Sequence, residues 1–243
     1  MKSEFVHLHN HSDYSLLDGA QQVGQLINTI DDLNMDSVAL TEHGNMFSVL
    51  PYYKAAKKAG IKPIVGCEIY VAVGSRFEKK TTTEYGWGNN HLILLAQNYT
   101  GYKNLMKLVT AGYLEGFYYR PRVDIDLLRK YNEGLICMSA CLKGEVPERM
   151  LKGDYEGAKK AAITFSEIFP GRYYLEIQNH GIPEEEANLK NMKKLAEELD
   201  LPLVCTNDAH YSRKEHWEAH DIHICLGTGK ERSDPNRLRY ATP

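Results

Sequence analysis

The chain has 243 residues, 43% of them hydrophobic and 25% charged, with a formal net charge of −3. This composition excludes a disordered or collagen-like chain and a small disulfide scaffold, and the slight acidity excludes a basic nucleic-acid clamp, though not nucleic acid held in a local cleft. Histidine stands out: there are 10, and His7, His9 and His11 lie close together near the N-terminus.

The length supports one large α/β domain or two smaller ones. No apolar run reaches the roughly 18 residues needed to span a bilayer. The opening residues also lack the apolar stretch of a secretory signal. A cytoplasmic chain with no membrane partner is expected. Cys67, Cys137, Cys141, Cys205 and Cys225 form no CxxC pair and read mostly as reduced, buried thiols.

Short apolar runs alternate with amphipathic segments along the chain. Residues 5–9 predict a first strand. Val23, Leu26, Ile27, Ile30 and Leu33 recur at helical spacing, and 37–40 follow as a second strand. A helix over 49–59 meets Gly60, where a C-terminal glycine cap belongs. Residues 63–73 predict a third strand and the Gly-, Thr- and Lys-rich stretch 74–90 one long loop. Then come a strand at 92–96, a helix at 102–114, a strand at 135–139 and a helix at 155–169. A strand at 173–177, a helix marked by Leu189, Met192, Leu195, Ala196 and Leu199, and a strand at 203–205 complete the pattern. Ser212 and Glu215 suit a capping box opening a helix over 213–226. About seven strands, most with a helix before the next, predict parallel βαβ units in a closed barrel or a doubly wound sheet. The polar tail 227–243 reads as a linker. The expected organisation is a domain over 1–226 that belongs to something longer.

In βα units, functional residues collect beyond the C-terminal ends of the strands. Here those positions carry imidazole, carboxylate and thiol groups, the ligands of zinc and similar ions. His7 and His9 share one strand face, about 7 Å apart, with Asp18 in the loop beyond. Glu42-His43, Glu68, Cys141, Glu176 with Asn179 and His180, and Asp208 with His210 end or follow later strands. Glu68 is the sharpest signal. It interrupts the run Ile64-Val65-Gly66-Cys67-Glu68-Ile69-Tyr70-Val71, and a buried carboxylate is costly unless paired or coordinated. His91 precedes its strand, so it reaches this end only if that strand runs antiparallel or the barrel is distorted.

These motifs resemble the PHP (polymerase and histidinol phosphatase) domain family. The residues that carry the resemblance are the N-terminal HxH, Leu40-Thr41-Glu42-His43-Gly44-Asn45, Gly66-Cys67-Glu68, His91-Leu92, Cys141-Leu142 and Asp208-Ala209-His210. Segments such as Ser15-Leu16-Leu17-Asp18-Gly19 and Glu176-Ile177-Gln178-Asn179-His180-Gly181 look most like the branch at the N-terminus of the bacterial DNA polymerase III α subunit. The resemblance implies a distorted seven-stranded (β/α) barrel holding two or three divalent ions, with zinc, manganese and iron as candidates. Carried over position by position, the metal ligands fall on His7, His9, Asp18, His43, Glu68, His91, Cys141, Asp208 and His210. Glu42 departs from the family, where Asp is usual before the motif histidine, and is not counted as a ligand.

Metals roughly 3.5–4 Å apart clamp a phosphoryl group and activate a shared water. Glu68, Asp208 and His210 are the residues expected at the reacting centre, with Glu68 the natural bridging carboxylate. The resemblance implies phosphodiester hydrolysis, as a 3′–5′ exonuclease acting on a single-stranded DNA end or on a nucleotide phosphoester. It also implies the polymerase region of the same subunit as a partner. Tyr118, Arg120 and Arg122 combine aromatic faces for bases with guanidinium groups for phosphate. Two other readings remain open. One is a silent structural domain that docks a separate proofreading exonuclease, and the other is a free phosphatase such as histidinol phosphatase. A zinc-protease reading of His216-Trp217-Glu218-Ala219-His220 fails because HExxH needs Glu directly after the first His.

Overall fold

The computed structural model describes residues 3–80 and 88–240. Part of the predicted loop 74–90 and residues 241–243 of the tail lie outside the described residues. The elements are α1 Val23–Asp32, β1 Ser37–Leu40, α2 Val49–Lys58, β2 Lys62–Ala72, β3 Asn89–Ala96, α3 Tyr99–Leu114, β4 Arg122–Val123, α4 Ile125–Lys130, β5 Leu135–Met138, α5 Glu145–Leu151, α6 Tyr155–Ile168, β6 Tyr173–Ile177, α7 Pro183–Leu199, β7 Leu203–Cys205 and, after a 3-10 turn at Lys214–His216, α8 Trp217–Thr228. They gather into two compact units. The first comprises Met1–Glu42, Phe47–Val65 and Asn207–Pro243; the second comprises His43–Met46 and Gly66–Thr206. Among the described residues no helix is long and apolar enough to cross a membrane.

In the first unit β1 pairs in parallel with the opening residues of β2, Ser37 with Lys62 through Leu40 with Val65. The core is the apolar face of α1 (Val23, Leu26, Ile27, Ile30) against Val38, Leu40, Tyr52, Ala56 and Ile61. The buried Tyr52 hydroxyl donates to Val38 O and accepts from Ile64 N, fastening α2 to both strands.

Residues 5–9 do not form the regular strand that their apolar run predicts. The segment runs beside β1, with Ala39 N donating to His7 O at 2.8 Å, but side chains then replace the ladder. The Asn10 amide donates to His7 O and Ala39 O, and Thr41 Oγ1 takes the Asn10 N–H. The predicted capping box before α8 is also absent. Ser212 donates to Gln21 Oε1 instead, and the 3-10 turn starts at Arg213 without a side-chain cap. The tail packs back on α8 because Arg237 clasps Asp221 through both guanidinium nitrogens.

In the second unit the rest of β2 pairs antiparallel with β3, which in turn pairs antiparallel with β5; β5, β6 and β7 then run parallel, and β4 lies parallel to β2. The chain is an α/β fold, as expected, but not an all-parallel one. β3 is reversed, and that reversal brings His91, at its start, opposite Tyr70 near the end of β2. From Gly66 to Ala72 every residue of β2 is buried, the pattern of a strand covered on both faces. The core packs Cys67, Ile69, Leu92, Leu94, Leu105, Leu135, Phe165 and Leu175 together. β4, α4 and α5 are too short to show a period in the sequence.

Candidate metal centres

In the first unit a parallel bridge joins Asn10 to Ala209. The Gln21 amide spans both segments, donating to His11 O at 2.8 Å and Ala209 O at 3.2 Å. The bridge sets Asp208 and His210, either side of Ala209, alongside His9 and His11, either side of Asn10. His9 Nε2 lies 3.1 Å and His11 Nε2 3.2 Å from Asp208 Oδ1, and the two nitrogens are 3.2 Å apart. Asp208 adopts φ +47°, a left-handed conformation that short polar residues tolerate. Burial pushes its carboxyl up, but His9, His210 and His11 outweigh burial and hold it well below the usual carboxylate range.

The partners behind these rings set their tautomers. Ser15 Oγ gives its proton to the buried Glu42 at 2.5 Å, so it accepts from His11 Nδ1 at 3.0 Å. That leaves His11 Nε2 with a lone pair facing the cluster. Ser12 holds Glu42 through its backbone N–H and its hydroxyl. His210 Nδ1 lies 2.7 Å from Asp208 O, an acceptor only, so Nδ1 carries the proton and Nε2 faces Asp18 Oδ2 at 3.7 Å. Fixing the far nitrogen in this way orients a ligating histidine. His220, which the sequence left without a role, donates to Asp18 O at 2.7 Å and anchors that loop.

The second unit builds its own triad. Glu68 lies between two imidazoles, with Oε1 2.8 Å from His91 Nδ1 and Oε2 in contact with His43 Nδ1. A bridge pairs His43 with Glu68, and another pairs His91 with Gly144. The second bridge brings the turn after β5 alongside, with Cys141 Sγ 3.9 Å from His91 Nδ1 and 4.0 Å from Glu68 Oε1. Only glycine permits this turn, since a Cβ on Gly144 would stand 1.9 Å from Ser139 O. Gly44, at φ +62°, is equally constrained, and its Cβ would fall 2.8 Å from Pro121 Cγ and 2.9 Å from Tyr70.

Each triad offers three ligand atoms within 4.8 Å of one another, close enough to share a divalent ion. Bonds of about 2.0–2.2 Å place neighbouring ligand atoms about 2.8–3.6 Å apart across octahedral and tetrahedral geometries, and the first triad's edges of 3.1 to 3.2 Å fall inside that range. Imidazole nitrogen with carboxylate oxygen, joined by a thiol in the second triad, is a transition-metal donor set.

Of the predicted ligands, the structure brings together His9 and Asp208 in one cluster and His43, Glu68 and His91 in another, with Cys141 beside the second and Asp18 and His210 beside the first. It does not bring His7 into either. The His7 ring stands edge-on to Phe5 at 4.9 Å, burial lowers its pKa, and no metal-sized cluster among the described residues includes it. His11 stands in the first cluster instead. The sequence carried the signal, because His9-Asn10-His11 is itself an HxH that overlaps His7-Leu8-His9. His180 pairs with Glu185 at the start of α7, and Glu176 accepts from Gln178 and Thr206.

The substrate residues divide. Arg120 is exposed and Tyr118 half-buried. Arg122, expected to hold phosphate, is 1% exposed. Its guanidinium donates to the carbonyls of Gly116, Arg76 and Glu78, and burial lowers its pKa. Through Nε and Nη2 it ties the backbone at Gly116 to that of Arg76 and Glu78. Arg122→Lys, whose single ammonium cannot reach all three carbonyls, is expected to lower unfolding free energy by about 2–4 kcal/mol in urea denaturation. Arg120→Ala should stay within about 0.5 kcal/mol.

Residues 7–180 match the family described as the PHP domain. The DNA polymerase III subunit alpha of Borreliella burgdorferi is 50% identical over 241 residues, which cover 99% of this chain and 21% of that protein. An amidohydrolase from Chromobacterium violaceum superposes with a TM-score of 0.51 at 13% identity, covering 90% of this chain and 96% of that one. A Bifidobacterium adolescentis protein classed as a metal-dependent phosphoesterase gives 0.50 at 13% identity, covering 96% and 92%. At such identities the two structures share the fold. The chain belongs to the PHP domain family.

Proposed function

We propose that this chain is a metal-dependent phosphoesterase domain of a bacterial, cytoplasmic DNA polymerase III α subunit, hydrolysing phosphodiesters as a 3′–5′ exonuclease. The observation that carries the reading is the pair of His–carboxylate triads, each gathered to ligand spacing. The similarity to a DNA polymerase III subunit alpha supplies the polymerase context. His43, Glu68 and His91, with Cys141 adjacent, hold one ion; His9, His11 and Asp208 hold another, with Asp18 and His210 alongside. Zinc, manganese and iron suit these donors. Ions so bound supply a water of low pKa and neutralise charge on phosphoryl oxygens. The protein contributes bare, oriented nitrogens. Ser15 and Glu42 fix His11, the Asp208 carbonyl fixes His210, and Asp208 is already a carboxylate at neutral pH.

The test is hydrolysis of labelled single-stranded DNA and of a nitrophenyl phosphodiester with added Mn²⁺ or Zn²⁺. Cleavage that disappears with EDTA and in Asp208→Asn is expected. A metal-loaded chain that cleaves no better than Asp208→Asn contradicts the reading and leaves a structural domain, one that would dock a separate proofreading exonuclease. Cleavage of histidinol phosphate but not DNA points to a small-molecule phosphatase.

A further inference from the structure

One helix of the first unit, α8, fastens two segments that lie far apart in sequence. The first is the turn 15–19, which carries Asp18. His220 donates to Asp18 O at 2.7 Å. Gly227 packs so closely on the same turn that a Cβ there would stand 2.6 Å from Leu17 O. The second segment is the tail. Its Arg237 clasps Asp221 through both guanidinium nitrogens, with a side chain only 5% exposed. Arg237 Nε donates to Arg232 O at 3.1 Å, and Arg232 Nε stands 3.3 Å from Asp221. A bidentate guanidinium–carboxylate pair fixes orientation as well as position, so the stretch 232–237 has a defined seat on α8.

From that seat the chain reaches the first metal centre at Tyr240. The Tyr240 ring lies 4.7 Å from the His210 ring and meets the His220 ring edge-on at 4.9 Å. Its hydroxyl donates to Asp18 Oδ2 at 3.4 Å, the oxygen that faces His210 Nε2 at 3.7 Å. That bond is longer than is usual for O–H···O, so the ring makes most of the contact. Tyr240 thus meets both residues that stand beside the His9–His11–Asp208 triad. Apolar burial does not account for its place, because the ring is half-buried and the groups it meets are two imidazoles and a carboxylate. Partners behind ligating side chains set their orientation toward an ion.

We infer that Tyr240 is a positioning residue of the first metal centre, holding Asp18 and His210 toward an ion, so that ion binding and docking of the tail strengthen each other. Arg237 and Asp221 set where Tyr240 lies. The coupling is reciprocal by linkage: the factor that the docked tail adds to ion affinity is the factor that the bound ion adds to docking. The polar stretch 227–243, which reads as a linker in the sequence, therefore carries a residue that serves the centre. The inference rests on the metal-centre reading of the first unit, but its test reads ion binding and tail docking, never hydrolysis.

The experiment measures Mn²⁺ affinity by competition with a chromogenic chelator, in a Glu68→Gln parent so that the first unit's centre is read by itself. Tyr240→Leu is expected to weaken Mn²⁺ about tenfold, the low end of the cost of losing a partner behind a ligand. Tyr240→Phe keeps the ring and should lose no more than about threefold, the worth of one weak hydrogen bond. Arg237→Ala, which releases the tail at a distance from the centre, should weaken Mn²⁺ about as much as Tyr240→Leu. The second readout is trypsin cleavage after Arg237, which needs the guanidinium freed from Asp221 and so tracks the undocked fraction. Saturating Mn²⁺ should slow that cleavage about tenfold in the parent and leave it unchanged in Tyr240→Leu. Parent-like affinity in Tyr240→Leu and Arg237→Ala, or cleavage that Mn²⁺ does not slow, overturns the inference alone. A parent that binds no Mn²⁺ overturns it together with the metal-centre reading of the first unit.

Discussion

Glu68→Gln is expected to remove metal from the second unit's triad and to lower phosphodiester hydrolysis by at least about 100-fold. The side chain is fully buried, and its two oxygens face His91 and His43. Glutamine keeps the shape and hydrogen-bonding capacity but not the negative charge or the second oxygen. Loss of a partner outside the ligand shell already costs about 10–100-fold in metal affinity or activity, and a direct ligand sets that as the lower bound. The substitution should not unfold the chain, since it also removes the cost of burying a charge. Metal content measured alongside thermal melting separates the two effects. An unchanged melt with unchanged metal content contradicts the assignment of Glu68.

His11→Ala and His7→Ala should part company. His11 Nε2 stands 3.2 Å from both His9 Nε2 and Asp208 Oδ1, and its far nitrogen is set by Ser15 and Glu42. Its loss is expected to weaken metal binding at that triad by about 10–100-fold or more. His7 touches Phe5 and joins no metal-sized cluster among the described residues, so its loss should leave affinity within about threefold, well below the cost of any coordinating partner. Competition with a chromogenic chelator measures both. Equal losses in the two variants, or a larger loss for His7→Ala, would restore the sequence-based assignment.

Asp208 faces His9 and His11, a pair that the sequence alone does not single out. The helix and strand limits are legible where local signals are strong. β6 and β7 have the predicted bounds because their apolar runs are short and sharply flanked. α3 starts earlier than its apolar pattern because Asn98 caps it, accepting from Gly101 N. Glu68 was legible through the cost of burying a carboxylate, and the structure supplies its imidazole partners. The direction of β3 was not legible, because it is fixed by pairing with β2 and β5 rather than by any residue within it. The choice of His9 and His11 over His7 and His9 depends on which residue the bridge to Ala209 selects, and a repeated HxH spacing cannot decide that. Arg122 misled for a different reason. Arginine is rarely buried, and the carbonyls of Gly116, Arg76 and Glu78, two of them more than 40 residues away in sequence, show why this one is.

Anomalous scattering from crystals soaked in Mn²⁺ reads directly whether the chain gathers two metal-binding triads. One peak is expected within coordination distance of His9 Nε2, His11 Nε2 and Asp208 Oδ1, and another within coordination distance of His43, Glu68 and His91, with none on His7. A peak coordinated by His7, or full metal occupancy with either triad empty, would contradict it.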